Sequence, residues 1–276
     1  LNKVGHLNKM KRSDEMDSIG VIGAGQMGGA LLKGLIESGF STPESIFVSG
    51  GSGGTAAILQ KELHFNLCQS NSEVAKKVNI LILAVTPQVM PTVLNEIKKA
   101  IIPGTLLISL AAGMEFSEYT KLLNEKIKLV RAIPNTPVSI QAGMTAVSYN
   151  DQIGSSERDT TEALFQAVGE VVEVSEAQLN SAGTVSGCSP AFIAIFIEAL
   201  ADGGVLNGLS RKQAYLLAEQ AILGTAKLAL LSGDHPGIVK DDVCSPGGST
   251  IKGVVALEQF GFRNAVIQAI DAATKN

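Results

Sequence analysis

The sequence predicts a doubly wound α/β domain over residues 18–175, followed by an all-helical domain over residues 176–276. Near-continuous apolar strands alternate with helical patterns through the first half, the mark of a mostly parallel sheet covered on both faces. A Gly-x-Gly-x-x-Gly turn joins the first strand to the first helix, and strand signals nearly vanish beyond Ala177. Residues 1–17 are polar and Lys-rich and read as a disordered tail outside the fold.

Composition narrows the function. The chain has 276 residues, enough for two domains. Charged residues are only 17% against 45% hydrophobic, so much surface is expected to be buried between subunits of a homo-oligomer. A net charge of -4 without a basic patch argues against nucleic acid. Cys68, Cys188 and Cys244 are scattered, and His6, His64 and His235 fall in no ligand pattern, so no disulfide framework and no metal are expected. No unbroken apolar run reaches the roughly 18–20 residues of a membrane span, and the expectation is a cytoplasmic protein with no membrane partner.

The first strand is Ser18-Ile19-Gly20-Val21-Ile22, ending in Gly23-Ala24-Gly25-Gln26-Met27-Gly28. Leu31, Leu32, Leu35 and Ile36 then mark one buried helical face, closed at Gly39, before the strand Ser45-Ile46-Phe47-Val48-Ser49. In this strand–turn–helix–strand context the glycine motif reads as a Rossmann-type dinucleotide site. Gly23 permits the tight turn, Gly25 lets the backbone approach a pyrophosphate, and Gly28 lets helix and strand pack closely. Gln26 and Met27 lie between them, on the same loop.

NAD binders usually carry an acid at the end of the second strand, where this chain reads Ser49-Gly50-Gly51-Ser52-Gly53-Gly54-Thr55. The missing carboxylate removes repulsion against a 2′-phosphate, and Ser49, Ser52 and Thr55 can bond one, although no Arg stands there to clamp it. NADP is therefore expected, with NAD as the alternative; the same glycines also read as a plain linker.

Further strands are expected at residues 78–85, 105–109 and 128–132, with helices at 89–99 and 115–124. Residues 143–148 and 171–174 read as two edge strands around a helix at 157–168. Ligands in such sheets lie beyond the carboxyl ends of the strands. That groups Val85-Thr86-Pro87, Ala111-Ala112-Gly113 and Pro134-Asn135-Thr136-Pro137 with the glycine turn, where small residues leave room for a nicotinamide and Asn135 can hydrogen-bond it. In the helical half, residues 179–206 form a long helix interrupted around Gly187-Cys188-Ser189-Pro190, and Ser210 caps a second that closes at Gly233. A last helix is expected at 262–273.

The stretch Asp241-Asp242-Val243-Cys244-Ser245-Pro246-Gly247-Gly248-Ser249-Thr250-Ile251 is the other candidate site. With Ser245 as N-cap and Pro246 at the first helical position, a helix is expected from here through Leu257 to near Gly261. Gly247 and Gly248 then strip two side chains from its first turn, leaving N–H donors and the positive helix end open to an anion. Ser249 and Thr250 add hydroxyls. The layout suits a small molecule with a carboxylate beside a basic nitrogen; a capped helix with a glycine-loosened start is the bland alternative.

With these motifs placed, the chain from Ser18 onward resembles the pyrroline-5-carboxylate reductase family, enzymes of the last step of proline synthesis. The resemblance rests on His235-Pro236-Gly237, the stretch from Lys240 to Ile251, Arg131-Ala132-Ile133-Pro134-Asn135-Thr136-Pro137 and Glu198-Ala199-Leu200-Ala201-Asp202-Gly203-Gly204-Val205. It implies a dinucleotide domain followed by a helical dimerisation domain, with dimers often built into rings. It also implies that the substrate carboxylate sits on Ser245, Gly247, Gly248, Ser249 and Thr250, and that the Thr250 hydroxyl meets the imino-acid ring nitrogen as the catalytic group. Three positions depart from the family: Thr86 where Lys is common, Cys188 in place of Ser, and Phe192 in place of Tyr. Thr86 bears on cofactor affinity; the other two lie at the helix interruption. Two other readings stand beside this one. A dehydrogenase for another imino or hydroxy acid would usually bring a Lys, for which only Lys240 and Lys252 lie near the stretch. A non-catalytic dinucleotide-binding sensor or assembly factor would be expected to lose the 245–250 stretch, which is intact.

Overall fold

The computed structural model describes residues 18–51 and 53–275, so the expectations for residues 1–17 and for Ser52 lie outside the described residues. The chain divides into two compact units that part between Gly187 and Cys188. The first runs β1 (Ile19–Ile22), α1 (Gln26–Glu37), β2 (Ile46–Ser49), α2 (Thr55–Leu63), β3 (Asn66–Leu67), α3 (Asn71–Ala75), β4 (Ile80–Leu83), α4 (Met90–Ile97), β5 (Leu106–Ser109), α5 (Phe116–Leu122), β6 (Lys128–Pro134), β7 (Gly143–Tyr149), α6 (Ser155–Gln166), β8 (Gly169–Glu173) and α7 (Glu176–Gly183). The strands form one sheet in the order β3-β2-β1-β4-β5-β6-β7-β8, parallel throughout except for the antiparallel β6–β7 pair.

Strand alternation builds the core. In β4, Ile80 and Ile82 face one side while Leu81 and Leu83 face the other, as the two-residue period requires. The first side packs on Leu31, Leu32 and Leu35 of α1 and on Leu164 and Phe165 of α6. The second packs on Val74 of α3, on Met90, Val93, Leu94 and Ile97 of α4, and on Tyr119 of α5. Each of these fully buried side chains contributes roughly 1.5–3 kcal/mol of burial free energy. Arg131 of β6 is buried, at 2% exposure, and is matched by Glu176 in the first turn of α7 at 2.7 Å. The same Glu176 oxygen accepts the Phe116 N–H, so one carboxylate ties α5, β6 and α7 together.

The predicted elements of this unit are present, most of them shortened by a residue or two at their ends. Between 55 and 75 the structure adds α2, β3 and α3, a stretch to which the sequence reading assigns no element. β3 spans two residues and α3 five, too short for a period to register. One of the two expected edge strands, β7, is interior, because β8 pairs along its outer side.

The second unit consists of α8 (Ser189–Leu206), α9 (Arg211–Ser232), α10 (Pro236–Asp242), α11 (Ser249–Gln259) and α12 (Phe262–Thr274). The expected interruption near 187–190 takes the form of a π-helical turn, Thr184–Cys188, with Pro190 placed at the start of α8. Ser210 caps α9 through the Gln213 N–H, and Gly233 ends it at φ +68°. α8 and α9 pack together with Gly204 close to Ala214, and Ala201, Ala214 and Ala218 are buried. The Phe196 and Phe262 rings meet at 5.5 Å.

Two helical stretches, Glu176–Leu206 and Arg211–Ser232, are long and apolar enough to cross a membrane by length and composition. Polar and charged residues such as Ser189, Glu198 and Glu219 interrupt both stretches, so neither is an unbroken apolar run. Helices apolar on most faces require cover, whether by protein or by lipid.

Candidate active site

The glycine turn after β1 is built as its spacing requires. Gly23 has φ +101°, and a Cβ there would collide with the Ala84 carbonyl oxygen. Its N–H donates to the Ser49 carbonyl at 2.9 Å, joining the ends of β1 and β2. A Cβ on Gly28 would strike the Gly23 carbonyl, so helix and turn can approach this closely only with glycine. Gly25 differs from both: it is the N-cap of α1, no side chain caps that helix, and a Cβ there would meet nothing within 4 Å. The first-turn N–H groups of α1, including those of Gln26 and Met27, have no intrahelical partners and open onto that space. These residues fit a dinucleotide pyrophosphate, with the positive helix end behind it.

The neighbouring strand ends lie level with this turn. Ile22 pairs with Leu83, Leu83 with Ser109 and Ser109 with Arg131, so Val85-Thr86-Pro87, Ala111-Ala112-Gly113 and Asn135 follow strands that end along one edge of the sheet. The order reverses between β1 and β4, the switch point where such sheets bind ligands. Asn135 is 9% exposed and already engaged: its Oδ1 accepts the Met144 N–H at 2.8 Å and its Nδ2 donates to the Ser186 carbonyl at 3.0 Å. One N–H and one lone pair of the amide remain for a ligand. The Asn135 side chain thus also fixes the π-helical turn against the β6 end.

Beyond β2 lies a polar hollow of about 370 Å³, lined by Ser49, Gly50, Gln69, Ser70, Asn71, Ser72 and Glu96. Ser49 is 3% exposed and donates its hydroxyl to Asn71 Oδ1 at 2.7 Å, so it acts on a ligand through Asn71. Asn71 is a residue that the sequence reading misses. The clue available was Ser70-Asn71-Ser72-Glu73, a capped helix start in which Ser70 accepts the Glu73 N–H.

In the second unit the 245–250 stretch departs from its expected form. Ser245-Pro246-Gly247-Gly248 is a reverse turn closed by the Gly248 N–H on the Ser245 carbonyl at 3.0 Å, with Gly247 at φ +70°. Pro followed by a positive-φ Gly is the type II pattern, and a proline's fixed φ serves a turn as well as a first helical residue. Helix α11 therefore begins at Ser249, with Gly248 as N-cap and no capping side chain. Ser249 and Thr250 occupy its first turn, and Ser245, Ser249 and Thr250 are exposed. Eleven residues of helix stand behind these uncapped N–H groups. Upstream, His235 caps α10 by accepting the Gly237 N–H on Nδ1 at 3.0 Å. Among the described residues no cluster of His, Cys, Asp or Glu could hold a metal ion.

A relative from Escherichia coli (strain K12), a pyrroline-5-carboxylate reductase, is 42% identical over 252 residues, covering 91% of this chain and 94% of that protein. The chain belongs to the pyrroline-5-carboxylate reductase family. The family model for pyrroline-5-carboxylate reductase dimerisation matches residues 176–276, and the model for NADP oxidoreductase, coenzyme F420-dependent, matches residues 18–113. A family member from Synechocystis sp. is 42% identical over 255 residues, covering 92% of this chain and 95% of its own. The crystal structure of Plasmodium falciparum pyrroline carboxylate reductase with NADP bound superposes with a TM-score of 0.85 at 32% identity, covering 94% of this chain and 96% of that one. The pyrroline-5-carboxylate reductase family thus accounts for both the sheet unit and the helical one.

Proposed function

We propose that the chain reduces 1-pyrroline-5-carboxylate to L-proline with NADPH. The observation that carries this reading is the uncapped start of α11, placed after the Ser245–Gly248 turn and carrying the Thr250 hydroxyl in its first turn, in a chain 42% identical to the Escherichia coli enzyme. The N–H groups of α11, with the Ser245 and Ser249 hydroxyls, bind the substrate carboxylate. The Thr250 hydroxyl hydrogen-bonds the ring nitrogen, donating to a neutral imine or accepting the N–H of a protonated one, and so orients the C=N bond. The imine carbon accepts a hydride and the nitrogen ends with a proton, which the substrate brings or water supplies through the Thr250 hydroxyl. A bound reduced nicotinamide supplies that hydride. The chain's own part is to hold NADP on Gly23, Gly25, Gln26, Met27 and Gly28, with Val85, Thr86, Pro87, Ala111, Ala112, Gly113 and Asn135 around the nicotinamide. Ser49 and Ser52 belong to the adenosine end of the same reading.

The organisation follows from the same argument. Residues 18–175 form the dinucleotide domain, and residues 176–276 the substrate and dimerisation domain. A partner copy covers the apolar helices in a cytoplasmic homodimer, assembled further as a ring of dimers. The deciding assay is NADPH oxidation with pyrroline-5-carboxylate set against other cyclic imines. Thr250→Ala is expected to lower turnover about 10- to 100-fold, the scale of one lost transition-state hydrogen bond. Unchanged turnover in that variant would remove Thr250 from the chemistry, and no oxidation with any imine would remove the activity itself.

A further inference from the structure

The carboxylate missing from the end of β2 returns from another part of the chain. Asn71 Nδ2 donates to Glu96 Oε2 at 2.6 Å, and Glu96, on α4, lines the same hollow as Ser49 and Asn71. The Ser72 hydroxyl donates to the Glu96 backbone carbonyl at 2.8 Å, which fastens α4 to the start of α3 and fixes where Glu96 stands. A carboxylate only accepts, so it dictates which end of the Asn71 amide faces it. The amide oxygen is then turned to Ser49, as the 2.7 Å bond from the Ser49 hydroxyl requires.

This chain of bonds decides what the hollow can recognise. The Asn71 amide keeps one N–H and one lone pair, a donor and an acceptor. A ribose hydroxyl can accept from that N–H and donate its one proton to the free lone pair or to Glu96. A 2′-phosphate only accepts, so it can use the N–H alone, and it brings roughly -1.5 to -2 charges toward the Glu96 carboxylate. The Ser49 hydroxyl has already spent its proton on Asn71, and none of the residues lining the hollow is basic. We propose that Glu96 is a specificity-determining residue: acting beside Asn71, it narrows the preference for NADP over NAD by favouring the free ribose. This rests on the dinucleotide reading given above.

The test is the pair of dissociation constants for NADP and NAD, measured by calorimetric titration at one fixed ionic strength, in the full-length protein and in Glu96→Gln. Glutamine keeps an oxygen for the Asn71 N–H but removes the charge and adds a donor. The NADP:NAD affinity ratio is expected to rise about fivefold. The ratio of catalytic efficiencies with NADPH and NADH should rise with it, and the unliganded melting temperature separates this effect from loss of fold. An unchanged or lowered ratio in a protein that binds both dinucleotides overturns the role of Glu96 and leaves the reductase reading standing. A parent protein that binds neither dinucleotide overturns that reading and this inference together.

Discussion

The sheet unit and the helical unit solve the burial problem in opposite ways. The first buries apolar side chains on both faces of its sheet, from Ile19 and Leu31 on one side to Leu81 and Leu94 on the other. Among the described residues from 188 onward, the buried hydrophobics are Ala201, Ala214 and Ala218, while Leu206, Leu230, Leu231 and Phe260 stand mostly exposed. Three alanines make no core. The sheet unit can hold itself together, whereas the helical unit must draw its stability from a second surface, as obligate dimers do. Residues 176–276 match a dimerisation family, which agrees with that need.

The largest effect should come from denying the helical unit its cover. Leu216 and Leu223 lie two turns apart on α9, exposed at 66% and 61%. Replacing both with Glu is expected to dissociate the oligomer and lower reductase activity at least 100-fold, an order-of-magnitude figure for a site that needs its unit folded. NADP binding by the sheet unit should survive. Sedimentation and titration on the same sample check this, and an oligomeric, fully active variant would break the contrast.

A smaller effect sharpens the other side of the comparison. Tyr149 closes β7 with its ring under the Arg158 guanidinium at 4.2 Å, and its buried hydroxyl has no hydrogen-bond partner. Burial first, then the nearby Glu162 and Glu173 carboxylates, push the phenol up to about 12. In the unfolded chain it ionises near 10, so the unfolded state loses this proton first as pH rises. The contribution is therefore complete below about pH 10 and lost as pH climbs toward 12. Tyr149→Phe should remove about 1 kcal/mol of that loss by pH 11 from the unfolding of the sheet unit, less than the full shift implies because the ring is partly exposed to solvent. Its stability at neutral pH should hold or rise slightly, because the substitution deletes an unpaired buried hydroxyl. Chemical denaturation at pH 8 and pH 11 reads both; the same alkaline slope in both proteins would discount the tyrosine.

What the sequence made legible follows the strength of local signals. Strand alternation in Ile80-Leu81-Ile82-Leu83, the glycine spacing from Gly23 to Gly28 and the Ser210–Gly233 frame of α9 are each specified by neighbours in the chain, and all appear in the structure. The start of α11 was misjudged because Ser-Pro-Gly-Gly satisfies two local rules at once, a capped helix and a type II turn. Only the backbone, with Gly247 at φ +70°, separates them. The Ser49–Asn71–Glu96 chain was hidden for another reason: its members lie 22 and 25 residues apart, and only the sheet order and the α3–α4 packing bring them together. The apolar surface of the helical unit was legible as a low charge fraction.

The account depends most on the open space at Gly25, where a dinucleotide pyrophosphate meets the start of α1. Calorimetric titration of NADP into Gly25→Val tests it directly, because the new side chain would enter that space and its Cβ would meet no protein atom within 4 Å. The account predicts that the melting temperature without ligand is preserved and that NADP affinity falls on the order of 100-fold, the scale of a lost close backbone–phosphate approach. A variant that folds and binds NADP as tightly as the parent would contradict it.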